Sequence, residues 1–256
     1  MSRLPTVYIG YDPREQAAYD VCVASILDHA SGPVNILPIN QTALRRSGLY
    51  TRAWDTKDGQ KYDLIDGKPF STEFSFSRFL VPILNQFEGK ALFMDCDMFV
   101  RSDILELWDV CTNNKPLWCV HHDYAPHDPV KMDGVIQTQY GMKNWSSFMM
   151  FNCDHKANAR LSTYDVSNKS GNWLHTFQWL KDYYGATSHV LSIGKINEEW
   201  NWLDGHSSTD IKPKNVHFTT GGPWFDEWTP SRDTDNIYAD KWLSRWNALE
   251  SEKQIA

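Results

Sequence analysis

No stretch of this 256-residue chain approaches the roughly 18 consecutive apolar residues of a membrane-crossing helix, and the opening MSRLPTVYIGYD lacks the apolar core of an export signal. Neither a spanning nor an exported protein is expected. Cysteine is sparse: Cys22, Cys96, Cys111, Cys119 and Cys153 include no CxxC pair, which indicates neither a zinc site nor a disulfide framework and fits a reducing cytoplasm. Positive charge is short as well, with 25 Lys and Arg against 32 Asp and Glu and a net charge of −7. That balance excludes general nucleic-acid binding, which needs a basic footprint. Internal repeats and low-complexity tracts are absent, so one domain over 1–256 is expected.

Aromatic residues are abundant. The chain carries 12 Trp, 11 Tyr and 12 Phe, enough for a substantial core and for ring-lined surfaces that receive sugars or bases. Val7 to Gly10 reads as a strand that stops at Tyr11-Asp12-Pro13, and Glu15 to His29 repeats its apolar residues at helical spacing. A strand, loop and helix in that order place ligands at the strand's carboxyl end in an open α/β sheet. Asn35 to Ile39 reads as a parallel second strand, short or at an edge because of Pro38. Residues 40–70 read as a loop or solvated connection, and SFSRFLVPILNQF as a helix capped by Ser71 or Ser75 and kinked at Pro82. Further strands are expected at Leu117–Val120, Phe148–Asn152, Val190–Ile193 and Asn215–Phe218, with a loop or β-excursion over 125–144. The tail from 238 to 256 reads as an amphipathic helix that docks on the body, with peripheral membrane contact as the other option.

The pattern richest in chemistry is GKALFMDCDMFVRSD, where an apolar strand runs into Asp95 and Asp97 with one residue between them. Residues i and i+2 of an extended chain share a face, so the two carboxylates converge while Cys96 turns away. Close carboxylates repel unless a positive charge compensates them, and a hard divalent ion such as Mg²⁺ or Mn²⁺ takes oxygen ligands and keeps positions open for a diphosphate. His217 stands at the mouth of a late strand before Gly221 and Gly222, where missing side chains permit close backbone approach.

Four segments in this order resemble the family 8 glycosyltransferases, the group of glycogenin and the lipopolysaccharide galactosyltransferases. They are YIGYDPREQAAYDVCVASIL, FSRFLVPIL, ALFMDCDMFVRSDILELWD and VHFTTGGPW. The resemblance implies a GT-A type, Rossmann-like α/β domain whose mixed, mostly parallel sheet is flanked by helices. It implies a hexosyltransferase that uses Mn²⁺ or Mg²⁺ held by Asp95, Asp97 and His217, and the cysteine usage places it in the cytoplasm. The donor is then a nucleotide-diphosphate sugar, expected to be UDP-linked, and the acceptor a glycan, lipid-linked sugar or protein hydroxyl, with anomeric retention. Donor contacts fall to Gly10, Tyr11, Asp12, Arg78, Cys96, Ser146, Ser147, Gly221, Gly222 and Trp224, and the catalytic candidates are Asp123 and Gln178. Where the family carries a Lys before Pro-Trp, this chain has Gly222, leaving the backbone or Arg14, Arg78, Arg101 or Lys195 to hold the leaving phosphate. The family's Gln motif has no match beyond Gln178. Two other readings stand beside this one: a sugar nucleotidyltransferase, and a carbohydrate-binding protein with a degenerate site.

Overall fold

The computed structural model of the chain describes residues 3–123, 142–185, 189–229 and 236–255. All but the last three residues of the loop expected over 125–144 lie outside them. In chain order the strands are β1 (Thr6–Tyr11), β2 (Asn35–Asn40), β3 (Trp54–Lys57), β4 (Gln60–Asp63), β5 (Pro69–Phe70), β6 (Lys90–Met94), β7 (Met98–Val100), β8 (Leu117–Val120), β9 (Phe148–Asn152), β10 (Ile193–Ile196), β11 (Trp202–Leu203) and β12 (Asn215–His217). The α-helices are α1 (Gln16–His29), α2 (Gln41–Arg46), α3 (Val81–Leu84), α4 (Glu106–Val110), α5 (Thr163–Asn168), α6 (Gly171–His175), α7 (Gln178–Tyr184), α8 (His189–Ser192) and α9 (Asn236–Ile255). Among the described residues no helix is long and apolar enough to cross a membrane.

The central sheet has the order β10-β8-β9-β6-β1-β2, with β9 antiparallel to both its neighbours and the other pairs parallel. This is the mixed, mostly parallel α/β sheet that the family resemblance implies. β6 and β9 sit in its middle with almost every side chain buried, which is why they read as unbroken apolar runs. β2 lies at the edge, where the missing N–H of Pro38 costs no ladder bond on the outer side. All five cysteines are free and buried.

Three expectations are corrected. Residues 40–70 are not a loop: they form α2 and a small antiparallel sheet of β3, β4 and β5. Arg52, inside that segment, is almost fully buried and grips Asp63 through two hydrogen bonds of 2.8 and 2.6 Å while capping the carbonyls of Val166 and Lys169. The expected Pro82 helix is instead a 3₁₀ turn over Ser77–Leu80 followed by α3, with no serine cap. Pro82 falls in the first turn of α3, where its absent N–H has no helical partner to lose. The strand expected at Val190–Ile193 begins only at Ile193, and the residues before it are helical.

A second sheet, β11-β12-β7, positions the site. β7 leaves the acidic segment and pairs antiparallel with β12, so that His217 lies opposite Met98. Beneath it Val21, Phe99, Trp202, Val216, Phe218 and Trp242 form a cluster apart from the main core, closed on one side by α9.

Candidate active site

The pleat ends at β6, and the chain turns before β7 begins. Asp95 donates its N–H to the Ser147 carbonyl at 3.0 Å, and Phe218 donates to the Asp97 carbonyl at 2.9 Å, so each acid is tied to a different partner segment. Asp95 faces a pocket and Asp97 is 5% exposed. Cys96 turns the other way into the core, its Sγ 3.5 Å from Glu15 Oε2, and burial followed by the Glu15 and Asp97 charges pushes its thiol well above the usual range. Any contact of Cys96 with a ligand is left to its backbone.

Ligand atoms of Asp95, Asp97 and His217 all lie within 4.8 Å of one another. His217 Nδ1 is 2.8 Å from Asn201 Oδ1, and the Asn201 amide nitrogen donates to Ser147 Oγ at 2.9 Å. With the Asn201 amide turned that way, Nδ1–H is the donor and Nε2 keeps its lone pair. Nε2 stands 3.3 Å from Asp97 Oδ1. Two acceptors at that distance repel unless a proton or a cation lies between them, and one imidazole with two carboxylates is a donor set that fits a divalent ion.

Arg78 is 6% exposed and bridges the acidic turn to the start of β9, with Nη1 2.9 Å from Asp95 Oδ1 and 2.8 Å from the Ser146 carbonyl. Its guanidinium lies over the rings of Phe74 and Phe93. Ser146 and Ser147 are buried. The pocket in front of them is lined by Asp95, His217, Thr219, Arg78, His175, Phe76 and Phe70.

Other expected contacts have structural partners of their own. Asp12 is 1% exposed; it accepts from Arg14 and from the Glu73 N–H. Burial raises its pKa, but the hydrogen bonds and charge of Arg14 outweigh this and hold the carboxyl below its usual range. Tyr11 donates to Gln16 at 2.6 Å and packs edge-on against Tyr19. At Gly10 a Cβ would stand 2.3 Å from the Phe74 ring, and at Gly222 a Cβ would stand 2.1 Å from the Trp224 ring, so both glycines make room for protein aromatics. Gly221 has φ +121°, which glycine adopts without strain. Trp224 packs on Phe218 and Trp242. Of the four basic residues that might replace the family Lys, Arg78 alone lines the pocket; Arg14 pairs with Asp12, Arg101 donates to the Pro213 carbonyl, and Lys195 lines a separate groove.

Asp123 is exposed and Gln178, half-buried, bonds Thr176 Oγ1 at 2.9 Å; neither lines the pocket. His175, three positions before Gln178, does line it. His175 and Asn201 are the site residues that sequence reading missed. Each sits amid aromatics, in NWLHTF and EWNWL, where periodicity reports packing and not which side chain turns inward. His122 is pushed down to about 3 by burial and by the nearby His217 and His121, which keeps it neutral.

The sheet order and the acidic turn define a class. Solved structures that share this GT-A fold include glycosyltransferases. The bifunctional glycosyltransferase WbbM aligns over 96% of this chain with a TM-score of 0.57 and 17% identity, and the galactosyltransferase LgtC, solved with donor and acceptor sugar analogues, over 95% with a TM-score of 0.53 and 12% identity. The alignment covers 95% of LgtC but only 52% of WbbM, so this chain spans about half of the latter. The chain belongs to glycosyl transferase family 8, whose model matches residues 21–226. A curated relative from Arabidopsis thaliana, Protein CDI, is 43% identical over 253 residues, covering 97% of this chain and 88% of that protein. Among the three readings of the sequence, family membership selects glycosyl transfer.

Proposed function

We propose that this glycosyltransferase is divalent-ion dependent, moving a hexose from a UDP-sugar to a hydroxyl of a glycan, lipid-linked sugar or protein, with retention, in the cytoplasm. The observation that carries this reading is the convergence of Asp95, Asp97 and His217 within 4.8 Å, with Asp95 and His217 lining a pocket. Mn²⁺ or Mg²⁺ fits the donor set, and such an ion supplies positive charge to the diphosphate as it departs. The chain's own residues do the rest. Asn201 fixes the His217 ring so that Nε2 faces the acids, and Arg78 adds a permanent cation beside Asp95 where the family Lys is missing. Phe70 and Phe76 line the same pocket and offer apolar ring surface on which a sugar packs. From this late segment His217 and Thr219 line the pocket, while the space at Gly222 is taken by the Trp224 ring.

Calorimetric titration of UDP with and without Mn²⁺ tests this reading. Wild type binds UDP only with the ion, and Asp97→Ala loses that dependence while its unfolding transition stays cooperative. Equal UDP affinity with and without the ion in the wild type would sink the proposal.

A further inference from the structure

Ser146 and His175 form a hydrogen-bonded pair in the lining of the pocket. Ser146 Oγ lies 2.8 Å from His175 Nδ1, and the Ser146 carbonyl is held by Arg78. His175 is clamped between the rings of Phe76 and Phe79, at centroid distances of 6.0 and 5.2 Å, and its ring also hydrogen-bonds the Ser75 backbone. Burial, followed by the charges of Arg78, Lys143 and Arg52, holds the imidazole well below its usual pKa, so the ring is neutral. A neutral imidazole has one N–H. With that donor committed to the backbone of Ser75, Nδ1 is an acceptor, and the Ser146 hydroxyl must donate to it.

We propose that Ser146 and His175 select the donor sugar by presenting an acceptor-only oxygen, so that Ser146 Oγ, its proton committed to His175, takes a hydrogen bond from one free hydroxyl of the sugar. His175 is a positioning residue: it sets the polarity of the serine from behind. Ser146 is within reach because Arg78 ties its carbonyl to Asp95, the acid at the diphosphate end, and the same pocket is lined by both ends of this chain of contacts. The substrate class is therefore a neutral sugar with an unmodified hydroxyl at the position that meets Ser146. A deoxy or O-alkyl analogue at that position leaves the serine lone pair buried and unmatched, which a site built for a hydroxyl rejects strongly. This inference rests on the pocket's being the site of a nucleotide-sugar donor.

The test is calorimetric titration, with Mn²⁺, of UDP, UDP-glucose, UDP-galactose and their monodeoxy analogues into wild type, Ser146→Ala, His175→Phe and His175→Asn. Wild type is expected to bind one parent sugar nucleotide and to lose about tenfold or more for a single monodeoxy analogue of it. Ser146→Ala and His175→Phe should bind UDP as wild type does, bind the parent about tenfold more weakly, and no longer discriminate against that analogue. His175→Asn, which keeps an acceptor near the Nδ1 position, should recover part of the discrimination. Unchanged discrimination in Ser146→Ala or in His175→Phe, with normal UDP binding, overturns the proposal. Wild type that binds neither UDP nor any UDP-sugar overturns the donor reading beneath it, a result distinct from the first.

Discussion

At the scale of single residues, the site depends on side chains that orient other side chains. Asn201 hydrogen-bonds Ser147 and His217, and so decides which nitrogen of His217 faces Asp97. Partners of this kind carry about 10- to 100-fold in metal affinity. Asn201→Ala should therefore weaken Mn²⁺ binding by that factor, read by titration, while Asp97→Ala removes it. His175 makes a pH prediction. Its pKa is depressed in the fold, so on acidification the unfolded chain takes up that proton first. The neutral ring then leaves stability flat above pH 6.5 and lowers it below that, by up to about 1.4 kcal/mol per pH unit for the one proton. Urea midpoints measured from pH 7.5 down to 4.5 should fall more steeply for wild type than for His175→Phe.

Elements meet where side chains are missing as much as where they are present. β1 approaches the segment before the Arg78 turn because Gly10 leaves space for the Phe74 ring, and Phe74 in turn supports the Arg78 guanidinium. Gly10→Ala brings a Cβ to 2.3 Å from that ring, so Phe74 must move. Overpacking of this kind costs about 1–3 kcal/mol. The expected outcome is a lower urea midpoint together with weaker UDP binding, because the displaced ring carries Arg78 with it; a variant as stable as wild type would mean that Phe74 has room to turn. Arg52 serves the small sheet in a similar way, joining β4 to the end of α5 through a pair almost wholly out of water.

For the whole molecule, the long C-terminal helix closes a second core. Trp242 is 1% exposed and packs with Trp224 and Trp246, while Arg245 and Lys253 pair with Asp28 and Asp20 of α1. The exposed ion pairs contribute little. The ring contributes more: Trp242→Ala should cost about 3–5 kcal/mol by chemical denaturation. Because the same cluster holds Val216 beside His217 on β12, a weakened Mn²⁺ affinity should accompany the loss. A destabilised variant with unchanged affinity would separate the helix from the site.

By itself the sequence determined the class of fold, the acidic turn and the late His motif, because each depends on local order: an apolar run long enough for a buried strand, and carboxylates at its end. It did not reveal the sheet within 40–70, since β3 to β5 are short, partly exposed strands with little apolar alternation. Nor did it separate Gln178, which bonds Thr176 at the end of α6, from His175, which lines the pocket; one turn of chain distinguishes them, and only the packing of α6 on Phe76 and Phe79 decides which one turns inward. Tertiary structure alone paired β7 with β12 and so brought His217 to Asp95 and Asp97 across more than a hundred residues of chain. The physical reason is that strand register is a contact between distant segments, fixed by the core they share and not by the residues on either side.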